Sequence, residues 1–211
     1  MTEYYIPSGF GESEHDEKRS RFLGYVSHVE SEEDARGFIE EIKKKNYDAR
    51  HNCWCYIIRG GAERYSDDGE PQGTAGIPML EVFRKEGVCN AVCVVTRYFG
   101  GVLLGAGGLL RAYTRAAKDA LDNAGISVVR RQLEFSLSCS YSSAERLKAY
   151  IPSAGGTVCS TDYGENVDIL VSVPEQLQES FPAQIFDFTS GAVTAVLCGE
   201  RFGAEQVGEK I

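Results

Sequence analysis

Five of the nine residues from Gly100 to Gly108 are glycine. An apolar run, Ala91 to Thr96, leads into them, and an Ala/Leu-rich segment, Leu109 to Ala124, leads out. That order predicts strand, glycine loop, helix. Glycine is favoured where the backbone takes positive φ or must approach another group closely. A helix N-terminus beyond such a loop offers free N–H groups and a positive dipole end, a natural seat for an anion. The same glycines also serve a tight turn and close helix–strand packing, so the loop alone leaves both readings open. It fits neither familiar nucleotide loop. Ala106 and Gly107 stand where a P-loop needs Lys and Ser/Thr. Leu110 stands where the dinucleotide fingerprint needs its third glycine.

Charge sharpens the picture. The net charge is −9, divided as −4 over residues 1–124 and −5 over residues 125–211. Neither half is a general polyanion binder. Between Gly87 and Lys118, however, Arg97, Arg111, Arg115 and Lys118 face no acid in sequence, whereas Glu63 to Glu70 holds four acids against Arg64. The acidic stretch lies in a polar, glycine-rich loop, Tyr65 to Gly76. Asp67, Asp68 and Glu70 there can receive arginines or hold a divalent cation such as Mg²⁺. The run His51–Ile58 reads as a strand that puts His51, Cys53 and Cys55 on one face. Seven cysteines, an odd number without framework spacing, fit reduced core thiols better than a zinc site, so no metal is assigned. No apolar run reaches the ~18 residues of a membrane span. The N-terminus lacks a signal-peptide plan. A cytoplasmic protein with no membrane partner is expected.

Along the chain, residues 1–17 read as a loose arm and Lys18–Val29 as a strand. Ser31–Lys45 reads as a helix with Ser31 as N-cap, an inward stripe of Ala35, Phe38, Ile39 and Ile42, and a terminal lysine triplet that suits the dipole. A short helix, Thr74–Lys85, turns Met79, Leu80 and Phe83 inward, and Asn90–Tyr98 is the next strand. On the helix from Leu109, one line carries Leu109, Tyr113, Ala116 and Ala120, and another carries Arg111, Arg115, Lys118 and Asp122. Gly125 ends that helix, and the domain boundary is placed there. Strands at Ile126–Ser140, Thr157–Asp162, Asn166–Val173 and Ala192–Leu197 then alternate with a helix capped by Ser142 and another, Pro174–Thr189, broken or restarted at Pro182. The order βαββαβ is the ferredoxin-like plan.

The motifs Lys18–Phe22, Ala49–His51, Ser66–Pro78 and Val95–Tyr113 resemble those of the YigZ/IMPACT family. The resemblance covers residues 18–124 most specifically, and residues 125–211 resemble the small ferredoxin-like domain attached in bacterial members. It implies an α+β protein: an N-terminal α/β domain of the ribosomal-protein and elongation-factor type, followed by a ferredoxin-like βαββαβ domain. In eukaryotic members the family restrains the amino-acid-starvation kinase by competing for its ribosome-linked activator, through proteins with an extra N-terminal interaction domain. No reaction is implied. His51, Asp67, Asp68, Glu70, Thr74, Arg97, Tyr98, Gly100, Gly101, Gly105, Gly107, Gly108 and Arg111 match family motif positions.

Three readings follow. The first is a translation-linked regulatory or binding protein gripping RNA, a ribosome or a translation factor through a local anion site of Arg97, Arg111, Arg115, the loop glycines and the ring of Tyr98 or Phe99. The second is an enzyme or small-ligand binder on a phosphate-bearing molecule, with Mg²⁺ on the acidic loop and His51 as acid or base. The third is structural: Asp67, Asp68 and Glu70 brace Arg97 and Arg111 as ion pairs. The first is preferred, with no catalytic residue assigned.

Overall fold

The structure, a computed structural model, describes residues 3–206. The chain divides into two compact units, Glu3–Val128 and Val129–Ala204. Both mix helices with antiparallel strand pairs.

The first unit is built on one five-stranded sheet. Strand β1 (Glu3–Pro7) stands apart from it. The sheet's members are β2 (Gly11–Glu17), β3 (Ser20–His28), β4 (His51–Ile57), β5 (Glu63–Ser66) and β6 (Ala91–Tyr98). Their order is β2-β3-β6-β4-β5, every pair antiparallel. Central β6 is apolar on both faces because both are covered. Its Val92 and Val94 join Tyr25 and Tyr56 against α1 (Glu32–Lys45), where Ala35, Ile39 and Ile42 are buried. Its Ala91, Cys93 and Val95 face α2 (Gly76–Glu86) and α3 (Ala106–Ala124). Helix α1 follows its sequence closely: Ser31 Oγ accepts from the Asp34 N–H at 3.1 Å, acids fill the first turn and Lys43–Lys45 the last.

The expected loose arm does not exist over residues 3–17. Strand β2 pairs residue for residue with β3, from Gly11 opposite Val26 to Glu17 opposite Ser20. Beyond β1, Ser8 N–H donates to the Gly125 carbonyl at 3.0 Å, and the Cys89 N–H donates to the Tyr5 carbonyl at 2.9 Å. The sequence Gly-Glu-Ser-Glu-His-Asp-Glu hides a strand because its inward residues, Gly11, Ser13 and His15, are small or polar. They must be so, since α3 packs directly on the strand backbones. A Cβ on Gly11 would lie 2.2 Å from the Ala120 carbonyl oxygen, and one on Gly24 would lie 2.5 Å from that of Ala116. Ser13 Oγ donates to the same Ala116 carbonyl at 2.8 Å. The alanines of α3 are the other half of this contact: Ala112, Ala116, Ala117 and Ala120 are buried.

The second unit follows the order βαββαβ: β7 (Ile126–Cys139, entering from the first unit), α4 (Tyr141–Tyr150), β8 (Thr157–Tyr163), β9 (Val167–Pro174), α5 (Ser180–Phe188) and β10 (Ala195–Gln206). Its strands lie in the order β10-β7-β9-β8. Alternate residues of β7 (Leu133, Phe135, Leu137) and β9 (Val167, Ile169, Val171, Val173) meet Ala144, Leu147, Phe181 and Ile185 of the helices in one core. Three details differ from expectation. The N-cap of α4 is Ser140 rather than Ser142. A 3₁₀ turn, Glu175–Leu177, precedes α5, and Pro182 sits in its first turn, where no N–H is needed. Strand β10 starts three residues late and runs past Leu197, because polar Glu200 and Arg201 mask its period; Arg131 of β7 pairs with Glu200.

Two stability outcomes follow. Gly24→Val forces a branched side chain into the α3 backbone, and the urea midpoint is expected to fall by an amount worth ~2–3 kcal/mol or more. His15 is buried, stacks on Phe22 at 5.2 Å, and neither ring nitrogen has a hydrogen-bond partner among the described residues. Burial, then the nearby charge of Arg115, lowers its pKa below the usual histidine value. The unfolded chain therefore takes up the proton first, and stability present at neutral pH is lost as pH falls below the unfolded value of about 6.5. Urea midpoints measured from pH 7.5 to 5.5 are expected to fall in wild type and to fall less in His15→Phe.

Candidate functional site

The sheet register sets one row of side chains on the α2/α3 face. His15, Phe22, Arg97 and His51 lie opposite one another across β2, β3, β6 and β4. Arg97 is the centre of the row. It is only 5% exposed, and its guanidinium lies over the rings of Phe22 (5.6 Å) and Phe99 (5.3 Å). Its Nη1 donates to Glu70 Oε1 at 2.6 Å, and Tyr113 of α3 donates to that same oxygen at 2.9 Å. Arg97 Nη2 reaches Ser20 Oγ at 3.3 Å. Burial drives the Tyr113 hydroxyl pKa far up, with Cys53 and the Glu70 carboxylate adding to it, so this tyrosine stays a proton donor.

The acidic loop splits into three separate tasks. Asp67 holds the start of α2: its carboxylate accepts from the N–H groups of Gly73 (2.8 Å), Ala75 (3.0 Å) and Gly76 (2.8 Å). Asp68 Oδ2 accepts from the Asn52 N–H at 2.7 Å, locking the loop to β4. Only Glu70 meets an expected arginine. Thr74 closes its own turn, donating to the Pro71 carbonyl at 2.6 Å. These carboxylates point to different partners and do not converge on a cation position. Among the described residues no cluster of three or more His, Cys, Asp or Glu is arranged for a metal. The bracing network is thus one ion pair, Glu70–Arg97, without Asp67, Asp68 or Arg111.

His51 completes the floor. Its Nδ1 lies 2.8 Å from the Asp68 carbonyl oxygen. A carbonyl can only accept, so Nδ1 carries the proton, and in the neutral ring Nε2 presents a lone pair. Nε2 stands 4.0 Å from Glu70 Oε1 and meets no donor among the described residues.

Above this floor opens a cavity of about 340 Å³. Arg50, His51, Glu70 and Arg97 supply its polar side, Phe99, Leu103, Leu104 and Leu109 its apolar side, and Gly105 and Ala106 at the start of α3 its rim. Phe99 is 42% exposed and Leu103 83%. Neither Arg50 nor Arg111 has an acidic partner among the described residues. Arg111 lies along the first turn of α3, its Nη1 3.6 Å from where a Cβ on Gly107 would stand.

The remaining expected residues divide. Gly105, the N-cap of α3, has φ 72° and lines the cavity; Gly101 has φ 83°. Gly100 serves packing: its Cβ would stand 1.8 Å from the Arg19 carbonyl oxygen in the β2–β3 turn. Gly107 and Gly108 form the first turn of α3, which begins earlier than expected because Ala-Gly-Gly carries little helical signal. Tyr98 leaves the site, since strand alternation turns it away from Arg97; its hydroxyl donates to Asp48 Oδ1 at 3.0 Å. It lines a larger cavity, about 570 Å³, whose Arg21 and Lys45 are already paired with Glu14 and Glu12. Arg115 is also outside, paired with Asp119 at 3.4 Å, and Lys118 pairs with Asp122 and Glu86. Arg50 stands in the Ala49–His51 motif but was not among the expected site residues, because a single arginine after a helix forms no charge pattern of its own.

Comparison with known proteins agrees with this arrangement of two units. Residues 18–121 match the Impact N-terminal domain, and residues 137–192 match a domain of unknown function, DUF1949. IMPACT family member YvyE of Bacillus subtilis (strain 168) is 35% identical over 89% of this chain and 88% of its own length. The chain belongs to the IMPACT family. Family member YigZ of Escherichia coli (strain K12) is 34% identical over 83% of this chain and 88% of its own. A solved crystal structure of a hypothetical protein superposes with TM-score 0.60 at 32% identity, covering 94% of this chain and 98% of that one. No described helix of this IMPACT family chain is long and apolar enough to cross a membrane.

In this IMPACT chain Glu70 is what neutralises a buried guanidinium. Glu70→Ala leaves Arg97 uncompensated, and a loss of about 3–5 kcal/mol is expected in urea unfolding. The double variant Glu70→Leu with Arg97→Met removes both charges and is expected to recover most of that loss.

Proposed function

We propose that this chain is a cytosolic, translation-linked binding or regulatory protein, and that its first unit holds a phosphate group of RNA at the start of α3. The observation that carries the reading is the concentration of unneutralised positive charge there. The other cations of the ridge, Arg115 and Lys118, are paired with acids, and Arg97 is paired with Glu70. Arg50 lines the cavity beside Gly105 and Ala106 at the open N-terminal turn of α3, whose leading N–H groups lack intrahelical partners, and the Arg111 guanidinium lies near Gly107 of the same turn, outside the cavity lining. Beside them Phe99 offers an exposed ring face on which a base can stack. The seat is small and local, as a chain of net charge −9 requires. The translation link comes from the family resemblance. The strand order β10-β7-β9-β8 supports a ferredoxin-like second unit; an elongation-factor-like first unit rests on the resemblance alone.

One observation favours the second reading. A cavity of about 340 Å³ with convergent polar groups on an apolar wall also suits a phosphate-bearing small molecule. Ribosome co-sedimentation separates the two. Wild type is expected to pellet with ribosomes at low salt, and Arg111→Glu is expected to remain in the supernatant. Equal behaviour of both moves the assignment to the small ligand.

Gly107 gives an independent test. It has negative φ, and a Cβ there meets only the Arg111 guanidinium within 4 Å. Gly107→Ala is therefore expected to stabilise the fold by about 0.5–1 kcal/mol. If a phosphate sits against the α3 start, the added methyl also weakens binding, so thermal denaturation and co-sedimentation move in opposite directions.

A further inference from the structure

We infer that His51 reads the ribose 2′-hydroxyl of the bound nucleotide, so that the site distinguishes RNA from DNA. The inference rests on the RNA reading above and adds to it the group recognised. His51 is held, not free. The Asp68 carbonyl fixes the proton on Nδ1 at 2.8 Å, and the loop carrying that carbonyl is tied to β4 through Asp68 Oδ2 and the Asn52 N–H. Nε2 is left as an acceptor on the cavity wall, 4.0 Å from a second acceptor, Glu70 Oε1, with no donor among the described residues reaching it. Glu70 Oε1 already receives Arg97 and Tyr113. His51 Nε2 is thus a preformed neutral acceptor of the cavity that receives no donor among the described residues.

The rest of the cavity sets which donor that is. Phosphate binds toward Arg50 and the α3 start, and a base covers Phe99 and Leu103. The group lying between a nucleotide's phosphate and its base is the sugar. A ribose offers a hydroxyl donor at its 2′ carbon and a deoxyribose offers none, and that hydroxyl is the chemical difference by which a protein tells RNA from DNA. The side chain of His51 is only 12% exposed, so water competes weakly for the contact.

The test uses the full-length chain and fluorescein-labelled oligonucleotides of one sequence, as RNA, as DNA and as 2′-O-methyl RNA, which keeps the oxygen but lacks the hydrogen. Anisotropy titration of wild type is expected to give RNA binding about five-fold tighter than either DNA or 2′-O-methyl RNA, the scale of one hydrogen bond. His51→Phe is expected to abolish the preference, so that RNA, DNA and 2′-O-methyl RNA bind with equal affinity. If wild type binds RNA and DNA equally, or RNA and 2′-O-methyl RNA equally, the inference is wrong while the phosphate site stands. If it binds none of the three, the RNA reading itself fails. The wild-type comparison needs no variant to fold, and a urea midpoint for His51→Phe shows whether its loss is local.

Discussion

The Arg97–Glu70 pair is the contact on which the first unit turns. It joins the end of the central strand to the acidic loop, and the Tyr113 hydroxyl brings the long helix to the same carboxylate oxygen. Both partners are almost wholly buried. Removing two charges from water costs several kcal/mol per ion, and a buried pair often fails to recover that cost relative to apolar side chains of the same size. Its contribution therefore lies in specificity. Glu70 can satisfy Arg97 only when the loop, β6 and α3 stand in one relative arrangement, and that arrangement opens the cavity beside them.

The same pair settles the electrostatics of the site. Taken as separate stretches, the acidic loop and the basic ridge look like two halves of a charged cleft. Folded, most of that charge is consumed internally. Asp67 is spent on helix N–H groups, Asp68 on a strand N–H, Glu70 on Arg97, and Arg115 and Lys118 on neighbours one turn away. What remains is a difference rather than a sum: Arg50, Arg111 and the positive end of α3. The anion site proposed there would act on contact rather than at long range, since exposed charges are screened within ~10 Å at ordinary ionic strength.

Much of this was legible in the sequence, unevenly. Helix α1 was readable because cap, stripe and charged ends agree. Core strands β6, β7 and β9 were readable from their apolar runs or alternation. Strand β2 was not, because the signal for a strand is apolar alternation, and α3 presses so close that Gly11 and Ser13 replace the apolar residues. The start of α3 was misplaced for a related reason: glycine at Gly107 and Gly108 hides a helical turn. The site was partly legible. Opposite charges on the two motifs allowed Asp67, Asp68 and Glu70 to meet Arg97 and Arg111, but that only Glu70 reaches Arg97 depends on where the loop folds back, which spacing does not encode. Tyr98 shares a family motif with Arg97, whereas strand alternation puts neighbours on opposite faces.

These misses and the site share one cause. Where two backbones must come within contact distance, side chains shrink to glycine, serine or alanine, and pattern-based reading loses its signal. Gly100 against Arg19 and Gly11 against Ala120 are such places, and the protein itself supplies the second group. Gly107 is different. Its backbone would accept alanine, helix propensity favours alanine, and in the fold only the Arg111 guanidinium stands near the missing Cβ. A small residue with no packing reason, at the open end of a helix and beside an arginine without an acidic partner among the described residues, leaves room there for a group from another molecule, as the phosphate proposed above requires.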